Sequence, residues 1–296
     1  MSETVLTVAP VEEFEGRSLW ADARRRFARN KAAMAGLVIV AIVATACVLA
    51  PWIGPHPYDA VDWDRIMAPP DWRAGFYFGT DANGRDLFVR TLYGGRVSLS
   101  IGAAATLVSL VIGVAWGAFA GFVGGRIDAA MMRIVDILYA LPFVFFVILL
   151  TVIFTRNFLL MYVAIGAVSW LDMARIVRGQ TLSLKRKEFV EAATASGVGT
   201  AGILLRHIIP NTLGPVIIYA TLTVPQVILI ESFVSFLGLG VQEPSASWGT
   251  MINEGANVME IAPWTLLYPA SVLAITLMAL NFVGDGLRDA LDPKDR

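Results

Sequence analysis

KRKEFVEAATASGVGTAGILLRHIIP, residues 185–210, is a charged, helix-forming passage set between two long apolar runs. Residues 185–196 favour a helix, which Gly197 and Gly199 then break. A second short helix can begin after Thr200 and stop before Pro210. Phe189, Ala192, Ala193 and Ser196 fall near one face, and the two alanines leave a shallow surface that another protein can approach closely. The apolar runs on either side, 157–171 (reaching toward Arg175) and 214–239, have the length and composition of membrane-crossing helices. The pattern is that of an all-α integral membrane protein with a helix–turn–helix held between two spans.

Working outward, four further apolar runs lie at 34–53, 97–123, 137–155 and 263–284, making six expected spans. The composition agrees, since 56% of the residues are hydrophobic and only 16% charged, against about 45–50% and 25% in soluble domains. Lys/Arg bias sets the orientation. Arg24, Arg25, Arg26, Arg29 and Lys31 precede the first span, and Arg175, Arg178, Lys185, Arg186, Lys187 and Arg206 crowd the loop 175–214. The segment 240–262 holds Glu243, Glu254 and Glu260 with no basic residue. Both termini are therefore expected in the cytoplasm. The chain divides into a cytoplasmic tail (1–33), a first span with its outer loop (34–95), a core of five spans (96–287) and a second tail (288–296). Residues 18–31 form an amphipathic juxtamembrane helix whose arginines suit a surface of anionic membrane lipid. The run at 34–53 reads as an uncleaved anchor rather than a signal peptide, because a polar segment precedes it and apolar residues continue past Cys47.

Several functions are not supported. No GxxxxGK[ST] loop is present, so the chain has no recognisable ATP site of its own. His56 and His207 fall on opposite sides of the expected membrane and cannot share a metal. Asp81, Asn83 and Asp86 lack the later ligands of a calcium loop and read as a hydrogen-bonded turn. No nucleophile–base–acid set occurs within any one loop, and a net charge of −1 does not suggest a nucleic-acid partner. Gly113, Gly117, Gly121 and Gly125 recur every fourth residue, a small-residue face for close helix packing. Glu231 is the main acid inside a span, and either lines an aqueous pathway or pairs with a neighbouring helix. Asn281 is a weaker pathway candidate, as is Asp136, since both lie toward the ends of their spans.

Glu191-Ala192-Ala193, then Gly197, then Ile208-Ile209-Pro210 resembles the EAA loop of permease subunits in binding-protein-dependent ABC importers. That pattern places Gly four residues after the second Ala and closes on Ile-x-Leu-Pro, from which this chain departs at His207 and Ile209. The segments SLWADARRRFARNKAA, YFGTDANGRDLFVR, GGRVSLSIG, VSWLDMARIVRGQTLSLKRKEFVEAA, SFLGLGVQEPSASWG and GDGLRDALDPKDR are similar to the oligopeptide branch of that family. The resemblance implies a type I importer permease fold in a bacterial inner membrane, carrying oligopeptides inward. Its implied partners are a homologous B permease subunit, a periplasmic oligopeptide-binding protein and two ATP-binding subunits (D and F type), which hold ATP and Mg. It further implies that Glu191, Ala192, Ala193, Gly197 and Phe189 couple the chain to its ATPases. Glu191 then makes a charge-assisted contact or supports the start of its own helix. Topology and resemblance together place Ser247 and Trp248 against the binding protein. Related permeases carry dipeptides, glutathione or nickel chelates. A proton-coupled carrier or a non-transporting scaffold is disfavoured by the coupling loop.

Overall fold

The computed structural model describes residues 19–142, 145, 146, 149 and 158–291. Most of the expected third span, 137–155, and the two ends of the chain lie outside the described residues. Helix α1 (Leu19–Arg29) stops at Asn30, whose side chain accepts from the Ala33 N–H at 3.1 Å and caps α2 (Lys31–Val48). Helix α3 (Leu87–Val123) starts at Asp86, whose carboxylate accepts from the Phe88 and Val89 N–H groups. The helix thus begins ten residues before the expected start of the second span, because Leu87, Val89 and Leu92 are buried along with the apolar run. Gly124 and Gly125, with φ of +73° and +61°, turn the chain into α4 (Gly125–Ala140).

Helix α5 (Phe158–Leu184) leads into α6 (Glu188–Ala195) and then α7 (Thr200–Phe236). Here the structure corrects an expectation, since the chain does not stop helical at Pro210. A π-helical turn at Leu204–Ile208 precedes Pro210, so the missing proline N–H falls at the start of a new α-helical run. The segment 240–262 also holds a helix, α8 (Trp248–Asn257), opened by a capping box between Ser247 and Thr250. Helix α9 (Trp264–Leu291) completes the order. Helices α2, α3, α7 and α9 are long and apolar enough to cross a membrane. Helix α5, with 27 residues, reaches about 40 Å at 1.5 Å per residue.

Two seams hold the bundle. Cys47, Leu92, Ile228, Trp248, Leu273 and Leu280 join α2, α3, α7, α8 and α9 in one core. The second seam is the glycine face of α3 against α5. Gly113 lies on Trp170 and Met173, Gly117 on Ala174, Val177 and Arg178, and Gly121 on Arg178 and Thr181. Gly125 is outside this contact, with nothing within 4 Å of where its Cβ would stand.

Helix α4 is tied to α5 by two parallel bonds, Arg178 Nε to Asp128 Oδ1 at 2.6 Å and Nη2 to Oδ2 at 2.7 Å. Asp128 is buried, whereas Arg178 keeps 34% of its side chain exposed. Asp128→Asn is therefore expected to cost about 1–2 kcal/mol, reduced from the fully buried case. Thermal unfolding in detergent should show a transition several degrees lower, and an unchanged melting curve would remove the pair from the list of α4 anchors.

The loop between α2 and α3 is held by charge. Arg85 Nε donates to Asp81 Oδ2 at 2.7 Å and Arg85 Nη2 to Glu243 at 2.9 Å, so the loop is fastened to the segment before α8. Burial opposes the Arg85 charge, and these two carboxylates outweigh it, so its pKa lies above the usual arginine value. Arg90, fully buried, stands 3.2 Å from the same Asp81 oxygen. Asp81 also accepts from the Asn83 and Arg85 N–H groups at 2.9 Å, which makes this stretch a hydrogen-bonded turn.

Candidate functional site

Helix α6 stands out from the bundle on a small apolar root. Val190 is buried with Ile203 and Ile208, and Phe122, Leu184 and Ala193 close the cluster. Glu191 and Ala192 are exposed, and Phe189 is 42% exposed. The C-terminal end is a Schellman turn, with the Gly197 N–H donating to the Thr194 carbonyl and the Val198 N–H to the Ala193 carbonyl. Gly197 has φ +79°, which explains why glycine ends the helix there. The Lys185 ammonium donates to the Phe122 carbonyl, joining the base of the element to the end of α3. The result is a short helix fixed at its base, presenting an acid and a small side chain outward.

Glu231 lies elsewhere and faces inward. It is fully buried on α7, accepting from Ser98 Oγ at 2.9 Å, Ser235 Oγ at 2.7 Å and Ser232 Oγ at 3.4 Å. Ser98 Oγ in turn accepts from the Trp248 N–H at 3.3 Å, so the carboxylate ties α3, α7 and the start of α8 together. Trp248 and Ser247, expected to face an outside partner, are both fully buried. The Trp248 ring fills the space left by Gly95, and its Nε1 donates to the Thr91 carbonyl at 3.0 Å. Helix α8 seats directly on α7, where Gly249 leaves no room for a side chain above Ser232.

A cleft of about 450 Å³ opens between α4, α5 and α7. Tyr139, Ser169, Asp172, Tyr219, Thr223 and Gln226 bring polar groups to it among apolar neighbours such as Leu138 and Ile165. Tyr219 and Asp172 stand next to each other in this lining. Glu231 follows Ile230, a lining residue, but points instead into the serine cage. Asn281 is exposed on α9 and does not line the cleft. Asp136 ion-pairs with Arg175 at 2.8 Å at the edge of α4.

Residues 113–296 match the family "Binding-protein-dependent transport system inner membrane component", which spans most of the described helices. The chain belongs to that family. Residues 18–70 further match the N-terminal transmembrane domain of oligopeptide transport permease C. The chain is 58% identical over 295 residues to the oligopeptide transport system permease protein OppC of Escherichia coli (strain K12), covering 100% of this chain and 98% of that one. It is 46% identical to the dipeptide transport system permease protein DppC of Bacillus subtilis (strain 168), over 93% of this chain and 86% of that one. Among solved structures, a chain of the MetNI methionine ABC transporter in an inward facing conformation matches with TM-score 0.57. At 19% identity, over 70% of this chain and 96% of that one, it speaks for the fold alone.

In this inner membrane component, α6, Glu231 and the cleft are three separate places. Sequence reasoning passed over Asp172, which lies where the expected fourth span continues past Leu171 toward Arg175. An acid immediately following an apolar run was the available signal. Helix α8 carried a signal too, the Ser247-x-x-Thr250 spacing of a capping box.

Proposed function

We propose that this chain is a permease subunit of an ATP-driven importer that moves oligopeptides from periplasm to cytoplasm. It crosses the bacterial inner membrane six times with both termini cytoplasmic. The reading places α6 in the cytoplasm, docked into one of two ATP-binding subunits of D and F type that hold ATP and Mg. A homologous B permease subunit completes the pathway, and a periplasmic oligopeptide-binding protein delivers the peptide. The observation that carries this is the form of α6, with Val190 buried at its root and Glu191 and Ala192 exposed. A helix seated so firmly transmits the movement of a docked partner to α7, whose first turns include Ile203 and Ile208 of the same cluster. A dipeptide importer is the second reading, favoured by the 46% identity to the dipeptide permease.

Two measurements test it. Deleting the gene should abolish ATP-dependent uptake of a labelled tetrapeptide, and restoring it should return uptake. Uptake of dipeptides alone would favour the second reading. Glu191→Lys reverses the charge at the docking face, and should lower peptide-stimulated ATP hydrolysis by about tenfold or more. Assembly and stimulated hydrolysis at normal levels would remove Glu191 from the contact.

A further inference from the structure

The cleft between α4, α5 and α7 is chemically unlike the rest of the bundle. On α7, Tyr219, Thr223 and Gln226 recur at three- and four-residue spacing and so share one helix face. On α5, Ser169 and Asp172 have the same relation and meet the α7 stripe across the cleft. Among the described residues that line it, Asp172 is the one that carries a charge. The nearest basic residue along α5, Arg175, is held by Asp136 at 2.8 Å and lies over the Tyr139 ring at 4.3 Å.

An acid in or beside a span turns toward a polar partner or a water-filled cavity. Tyr219 lines the cleft beside Asp172, and a carboxylate has about four acceptor positions. They open on a cleft with polar groups in its lining and no Lys or Arg among the described lining residues. A peptide of any sequence carries one cation in common with all others, its terminal ammonium, which is charged at neutral pH. A single carboxylate in such a cleft can recognise that group while leaving the side chains unread.

We infer that Asp172 receives the cationic amino terminus of the peptide as it passes through this cleft. The inference rests on the peptide-importer reading.

The test uses the complete importer reconstituted in liposomes with its partner subunits. Uptake of a labelled tetrapeptide with a free amino terminus and uncharged side chains is compared with uptake of its N-acetylated form. Each rate is expressed as wild type over variant, so the preference of the binding protein cancels. Asp172→Asn should lower uptake of the free-amine peptide about tenfold, and of the acetylated peptide less than about twofold. Equal losses for both peptides, or no loss for either, would overturn the assignment, the first by showing a structural role. Absence of tetrapeptide uptake in the wild type would instead count against the importer reading itself.

A second measurement needs neither the acetylated peptide nor a stable Asp172 variant. Gln226→Cys places a thiol in the cleft, and the natural Cys47 is buried. A cationic methanethiosulfonate should label it about fivefold faster than an anionic one of similar size. Free-amine tetrapeptide should slow that labelling. Equal rates for the two reagents would mean that Asp172 does not present its charge to the cleft, as expected if a basic group of the neighbouring permease neutralises it.

Discussion

Val190→Asp is expected to stop transport while leaving the spans intact. Val190 is 2% exposed and packs with Ile203 and Ile208, so the new carboxylate would sit against apolar side chains with no donor assigned to it. Burying an ionised group unpaired costs several kcal/mol. Helix α6 has only eight residues and few contacts beyond this cluster, so detaching it relieves the strain at less cost than unfolding the bundle. The expected result is a complex that still extracts and assembles. Its uptake, and its ATP hydrolysis in response to peptide, should fall by about tenfold or more. Limited proteolysis should cut the released segment between α5 and α7 first. If coupling persists and the segment stays protected, the apolar root does not fix the docking helix.

Gly117→Leu has the opposite character, with loss of the fold rather than of coupling. A Cβ at Gly117 would overlap the Ala174 carbonyl oxygen and stand 2.9 Å from the Arg178 backbone nitrogen. These neighbours are main-chain atoms of α5, so no side-chain rotation relieves the clash and the two helices must separate. Overpacking of this kind costs about 1–3 kcal/mol per site and more where backbone is involved. The α3–α5 seam should open, and size-exclusion chromatography in detergent should show aggregated protein. Gly179→Ala is the control. It lies in helix α5, no atom stands within 4 Å of the place its Cβ would take, and alanine is the better helix former. It should be neutral or raise stability by up to about 1 kcal/mol. A well-behaved Gly117→Leu protein would show that the glycine face tolerates separation.

The sequence by itself determined what depends on local chemistry. Runs of apolar residues declare membrane-crossing helices because the cost of transferring each residue is nearly additive along the chain. The four-residue recurrence of Gly113, Gly117 and Gly121 declares a close-packing face, since helix geometry alone aligns them. Glu191-Ala192-Ala193 followed by Gly197 declares an exposed helix and its stop, because a left-handed residue is needed where that helix ends. Tertiary structure decided which way the polar residues turn. Glu231 and Asp172 are both acids on long helices, yet one is enclosed by Ser98, Ser232 and Ser235 and the other opens onto a cleft. Nothing local separates them, because the direction of a helix face has meaning only relative to its neighbours. Trp248 is the same case, since it follows an outer loop in sequence but is drawn inside by the gap at Gly95 and the Thr91 carbonyl. Those partners lie about 150 residues away in the chain, and only the folded packing of α3, α7 and α8 brings them together.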